Sequence, residues 1–144
     1  MASLAQTHPA DAAAEPQSFA LLEDRARLSA PALRAFRALA GQWALGNAEA
    51  AALLGVSEST WDRIKRGAWS QPLSQDQLTR ASAAIGLYKG LHLLFVDAMA
   101  DRWPKLANAY PLFRGKSPVE AMIAGGIPLM LETRFYVDAV RGGL

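Results

Sequence analysis

The chain has 144 residues, of which 51% are hydrophobic, so it holds enough apolar material for one compact domain or two very small ones. Its net charge of +2 is too small for binding nucleic acid by charge alone, and the absence of cysteine excludes disulfides and thiolate metal sites. His8 and His92 are too few and too far apart for a histidine zinc site, so no cofactor or metal is expected. No apolar run reaches the roughly 20 residues of a membrane span, and the first residues lack the apolar block of a signal peptide, so the expected location is cytoplasmic, with no membrane partner.

In chain order, residues 1–18 are rich in Ala, Pro and Gln without helical periodicity and are expected to form a flexible arm. Residues 1–30 carry Asp11, Glu15, Glu23 and Asp24 against Arg25 and Arg27, which leaves the basic excess to the rest of the chain. A short helix is expected from Phe19 to Leu28, followed by a cap and early proline at Ser29-Ala30-Pro31 that open a firmer helix to Gly41. Leu33, Phe36 and Leu39-Ala40 supply its apolar spacing.

From Asn47 to Gly67 the chain reads as helix, glycine turn and helix. Asn47 is expected to cap the first helix, Gly55 to supply the positive φ of the turn, and Ser57 to cap the second. Ala51 and Ala52 are small enough for a close partner, while Trp61 and Ile64 turn inward. Ser59, Thr60, Arg63, Lys65 and Arg66 remain as candidate DNA contacts, since arginines read guanine and hydroxyls hold phosphates in a major groove. Glu58 and Asp62 lie beside these bases and repel phosphate; the other reading of the unit is a packing scaffold with a solvated polar face.

Ser74-Gln75-Asp76-Gln77 forms a capping box for a long helix with Leu78, Ala81, Ile85 and Tyr88 on its buried side. Gly86 and Gly90 weaken it, and the run to Arg102 is either one bent helix or two, with Trp103-Pro104 as the interruption. Tyr110 to Lys116 is a loop. Ser117-Pro118-Val119-Glu120 is a second capping box that opens a helix stopped by Gly125-Gly126, and Pro128 restarts the chain for a last amphipathic helix from Leu129 to Val140. No alternating β-branched run survives, so the expected fold is all-α: residues 19–102 as a helical domain with the helix-turn-helix at 47–67, and 103–144 as a small C-terminal module.

Nothing in the chain matches a phosphate loop, a nucleophile elbow or a metalloprotease motif, and neither histidine has a predictable carboxylate neighbour, so no enzyme is expected. His92 reads as a core or interface histidine, and Asp97 and Asp101 as solvated carboxylates. Trp103, Tyr110, Phe113, Phe135 and Tyr136 cluster with Arg114, Arg134 and Arg141, the enrichment typical of protein interfaces, against which stands ordinary packing of a small domain.

Taken together, the helix-turn-helix at Ala48 to Gly67 and the run Asn108-Ala109-Tyr110-Pro111-Leu112-Phe113-Arg114-Gly115-Lys116-Ser117-Pro118-Val119-Glu120-Ala121-Met122 resemble the MbcA/ParS/Xre antitoxins of type II toxin–antitoxin pairs over roughly Leu33 to Leu144. The Gly125-Gly126 pair and the ending at Arg141-Gly142-Gly143 belong to the same resemblance, whereas Trp61 stands where the family more often has an aliphatic residue and Glu132 to Tyr136 is more aromatic. The resemblance implies a partner toxin of the RES-domain class, which degrades NAD or transfers its ADP-ribose, an inhibitor that covers the toxin's pocket, and repression of its own operon through operator DNA. The expected toxin contacts are Met122, Arg134, Phe135, Tyr136, Arg141, Gly142, Gly143 and Leu144, with Val137 to Leu144 as a plug and a homodimer within the complex. The alternative is a stand-alone DNA-binding regulator whose C-terminal module dimerises.

Overall fold

A computed structural model describes residues 19–143, so the expected N-terminal arm (1–18, with His8) and Leu144 lie outside the described residues. The described residues are all-α: α1 (Leu22–Gln42), α2 (Asn47–Leu54), α3 (Glu58–Lys65), α4 (Gln75–Leu94), α5 (Asp97–Arg102), a 3-10 turn (Trp103–Lys105) and α6 (Pro118–Arg141). No helix among them is long and apolar enough to cross a membrane.

α1 is one helix rather than the expected two, and Pro31 lies within it. Ser29 is not a cap. Its buried hydroxyl instead donates to the Arg25 carbonyl and accepts from the Leu73 N–H at 2.7 Å, tying α1 to the loop before α4. A hydroxyl that satisfies a distant buried donor contributes more here than one that starts a helix already begun at Leu22.

The helix-turn-helix forms as α2 and α3, with Gly55 at φ 79° between them. Asn47 is the first helical residue of α2, and Gly46 is the cap: the Gly46 N–H donates to the Glu49 carboxylate at 2.9 Å, while Asn47 Oδ1 accepts from Lys65 Nζ at 2.8 Å. Ser57 caps α3 as expected, its hydroxyl accepting from the Thr60 N–H. Trp61 and Ile64 are buried as expected, and Trp61 meets Phe36 edge-on at 5.6 Å, so the bulky ring, at a position where the resembled family more often has an aliphatic residue, is absorbed by α1.

The Ser74 box starts α4 as read. α4 is the central helix. Leu78, Ala81, Ala83, Ala84, Leu87, Gly90 and Leu91 are buried, a wider band than a single stripe, because α1 and α2 pack on one side and α6 on another. Ile85 and Tyr88, expected inward, are half-buried. Gly86 and Gly90 are the places where α6 comes closest: Arg134 lies where a Gly86 side chain would stand, and Val137 Cγ1 is 3.1 Å from the same position at Gly90. The helix breaks at Phe95–Val96, where the backbone turns extended, so α4 and α5 are two helices.

The Ser117–Glu120 box starts α6, with the Glu120 N–H donating to Ser117 Oγ and the Ser117 N–H to Glu120 Oε1. α6 kinks at Gly126, at φ 69° and ψ −157°, a conformation essentially reserved for glycine. Pro128 has no N–H to continue a straight ladder and follows the kink, so two helical segments meet here as the sequence suggested.

Candidate functional site

Two surfaces carry the expected contacts. The first is the outer face of α3. Ser59, Arg63, Lys65 and Arg66 are exposed, while Thr60 is half-buried, with its hydroxyl accepting from Ser57 inside the cap. Arg63 lies over the Trp69 ring at 5.0 Å, and Arg66 Nε donates to Asp62 Oδ2 at 3.0 Å. Lys65 is held by Asn47. Asp62 is therefore paired with the base that caps the C-terminus of its helix, and its charge is compensated where phosphate would approach; Glu58 remains exposed and has no such partner among the described residues.

The turn of this unit is braced from behind by Arg80. Its Nε donates to Asp76 at 2.9 Å, a terminal nitrogen reaches the Ala52 carbonyl at 3.5 Å, and its stem packs under Gly55. Its other terminal nitrogen points toward the Gly126 kink. Arg80 escaped the sequence reading, since a base between Leu78 and Ala81 on a helix looks like ordinary surface.

The second surface is built on α6. Met130, Thr133 and Val137 face the core, which leaves Leu131, Phe135 and Ala139 on the outer side at spacings of four. Phe135 is 73% exposed, Leu131 47% and Tyr110 44%, values far above those of the neighbouring core. A groove runs along this stripe, lined by Tyr110, Pro111, Leu112 and Tyr136, with Glu132 as the one carboxylate among the described residues that line it. Tyr110 stacks on Tyr136 at 4.2 Å, and both meet Phe113.

The loop that presents Tyr110 explains the Asn108–Glu120 run physically. The Asn108 side chain accepts from the Tyr110 N–H, the Asn108 N–H donates to the Lys116 carbonyl, and the Gly115 N–H donates to the Asn108 carbonyl. Arg114 and Gly115 both take positive φ, at 53° and 84°. The loop is thus closed at its base, and its wall residues are held in place.

The expected toxin contacts divide. Phe135 and Tyr136 belong to the groove. Arg134 lies across Gly86 with a 3.4 Å contact to the Ser82 carbonyl, which fixes it to α4. Met122 is 1% exposed and is a core residue, because its turn of α6 faces inward; Trp103 and Phe113 of the aromatic cluster are likewise buried. Arg141 pairs with Asp138, and Gly142 and Gly143 are exposed at the end of α6. Leu131, Glu132, Pro111 and Leu112 were missed, although the spacing of Leu131, Phe135 and Ala139 is a second apolar stripe opposite the buried one.

One reading of the sequence is overturned outright. His92 does have carboxylate neighbours: Nε2 is 2.8 Å from Asp101 and Nδ1 3.1 Å from Asp97, across the α4–α5 break, with the Tyr88 ring tilted against the imidazole at 4.2 Å between centroids. Two carboxylates on the two ring nitrogens require both to donate, which only the imidazolium does. Partial desolvation works against that charge, but the hydrogen bonds to Asp101 and Asp97 outweigh it, and the His92 pKa is raised.

Residues 23–86, from α1 into α4, match the antitoxin Xre-like helix-turn-helix domain. A curated relative, "Uncharacterized protein y4oB" of Sinorhizobium fredii (strain NBRC 101917 / NGR234), is 33% identical over 122 residues, covering 83% of this chain and 91% of the relative. No solved structure matches the chain.

Proposed function

This chain belongs to the family of the Sinorhizobium fredii protein y4oB and carries the antitoxin Xre-like helix-turn-helix domain; from that premise we propose that it is the antitoxin of a type II pair. The domain gives an antitoxin or DNA-binding regulator role. The finer reading is that residues 103–144 bind and silence a RES-domain toxin that consumes NAD or transfers its ADP-ribose, and that residues 19–102 bind the operator. The observation that carries it is the pairing of an antitoxin Xre-like helix-turn-helix domain with an exposed aromatic face on the loop and helix of the Asn108–Met122 pattern. Val137, where the expected plug begins, faces the core, so in this reading the plug is confined to residues 141–144, which occlude the toxin's pocket by bulk and charge, and the complex contains the antitoxin as a homodimer. The protein itself carries out no catalysis.

Deleting residues 141–144 tests the plug. The truncated chain should keep its melting temperature and lose inhibition of NAD loss by the toxin; inhibition equal to that of the full chain contradicts it. The stand-alone regulator is the second reading, favoured by the organised Arg63 and Arg66 on α3. A salt-dependent shift of its own promoter fragment without any copurifying neighbour gene product would select it.

A further inference from the structure

The groove on α6 has a chemistry of its own. Its lining is aromatic and aliphatic except for Glu132, which makes no ion pair or hydrogen bond with any described residue. In water that carboxylate is solvated at no cost. Covered by an apolar partner it would be stripped of water, a loss that a cation meeting it would offset. Whatever fills the groove favourably must therefore bring a base, and the stacked Tyr110–Tyr136 pair offers ring faces that suit the same cation.

The backbone narrows the occupant further. One wall is α6, whose N–H and C=O groups are spent in its own helix, and the other runs through turns at residues 111–115 rather than as an extended edge, with Pro111 lacking an N–H. An extended segment would find no edge to pair with and would bury its own polar backbone unsatisfied. A helix satisfies itself, and the exposed stripe Leu131, Phe135, Ala139 is spaced to take apolar side chains from one lying alongside.

We infer that this groove receives an amphipathic helix of the toxin, one that sets apolar side chains against Leu131 and Phe135 and a lysine or arginine against Glu132. This rests on the antitoxin reading and adds a gripping contact separate from the plug at residues 141–144. The contact holds the toxin on the flank of α6, and the basic residue gives the pair its specificity, since a toxin lacking it leaves Glu132 buried and unpaired.

The test uses the full chain co-produced with the product of its adjacent gene. Glu132→Lys should weaken the complex about 100-fold, Phe135→Ala about 30-fold, and Glu132→Gln less than either, with melting temperatures unchanged since both residues are exposed. A benzophenone side chain in place of Phe135 should crosslink to a helix of the toxin, and changing a lysine or arginine of that helix to Glu should restore binding to Glu132→Lys. If the wild-type complex forms while Glu132→Lys and Phe135→Ala bind equally well, or the crosslink joins two copies of this chain or nothing, the groove inference is overturned and the antitoxin reading stands. If the wild-type chain retains no toxin, the antitoxin reading falls and takes the groove with it.

Discussion

Phe135 and Met130 lie one and a half turns apart on the same helix, yet the first is 73% exposed and the second 1%. Removing the Met130 side chain leaves a cavity, and Met130→Ala should cost about 2–5 kcal/mol in urea unfolding. Phe135→Ala touches only surface and should stay within about 0.5 kcal/mol. If the two variants unfold alike, the assignment of the two faces of α6 is wrong. His92 makes a second prediction at this scale. Its folded pKa is raised above the ordinary 6.5, so its contribution to stability is complete below that value and is lost as pH rises through the folded pKa. The melting temperature should therefore carry a downward component as pH rises above about 6.5, and His92→Gln should remove that component. A variant with an unchanged pH profile would show that Asp97 and Asp101 do not hold the imidazolium.

Among the elements, the kink of α6 separates two jobs. The segment before Gly126 packs Val119, Ala121 and Met122 into the core, and the segment after it carries the groove. Gly126→Ala forces a side chain into a backbone region that only glycine enters easily, and should cost about 1–3 kcal/mol, read as a lower urea midpoint. A neutral result would mean the kink relaxes freely. At the start of the same helix, the Glu120 pKa is lowered by its hydrogen bonds with Ser117, so the cap stabilises above the ordinary carboxyl value of 4.5 and weakens as pH falls through the folded pKa. Ser117→Ala should cost about 1 kcal/mol at neutral pH, with a smaller loss in acid, which a pair of urea titrations would register.

The legible and illegible parts of the elements divide on locality. The boxes at Ser74 and Ser117 and the cap at Ser57 close within three residues, so the pattern of residue types was enough to read them. Ser29 was misread because its partner, Leu73, lies 44 residues on and appears only after folding. Gly86 and Gly90 looked like weak points in α4 because the side chains that need their space belong to α6. His92 was misread for a smaller reason: Asp101 is nine residues away, and only the break at Phe95–Val96 turns it back. The aromatic cluster was visible as a composition, but that Trp103 and Phe113 pack edge-on against each other in the core while Phe135 stays outside is set by tertiary contacts.

Across the whole molecule, α4 joins the two surfaces. Arg80 braces the helix-turn-helix turn while its far nitrogen lies toward the kink, and Arg134 crosses α4 from the groove-bearing helix. α4 thus packs directly against α6, and it reaches the helix-turn-helix through α1, α2 and the Arg80 brace at the turn rather than through α3 itself. The most direct test of the antitoxin reading measures NAD in a reaction containing the purified product of the adjacent gene, with and without an equimolar amount of the full chain. NAD should fall with the neighbour alone and be preserved when the chain is added. NAD falling at the same rate in both reactions would contradict it.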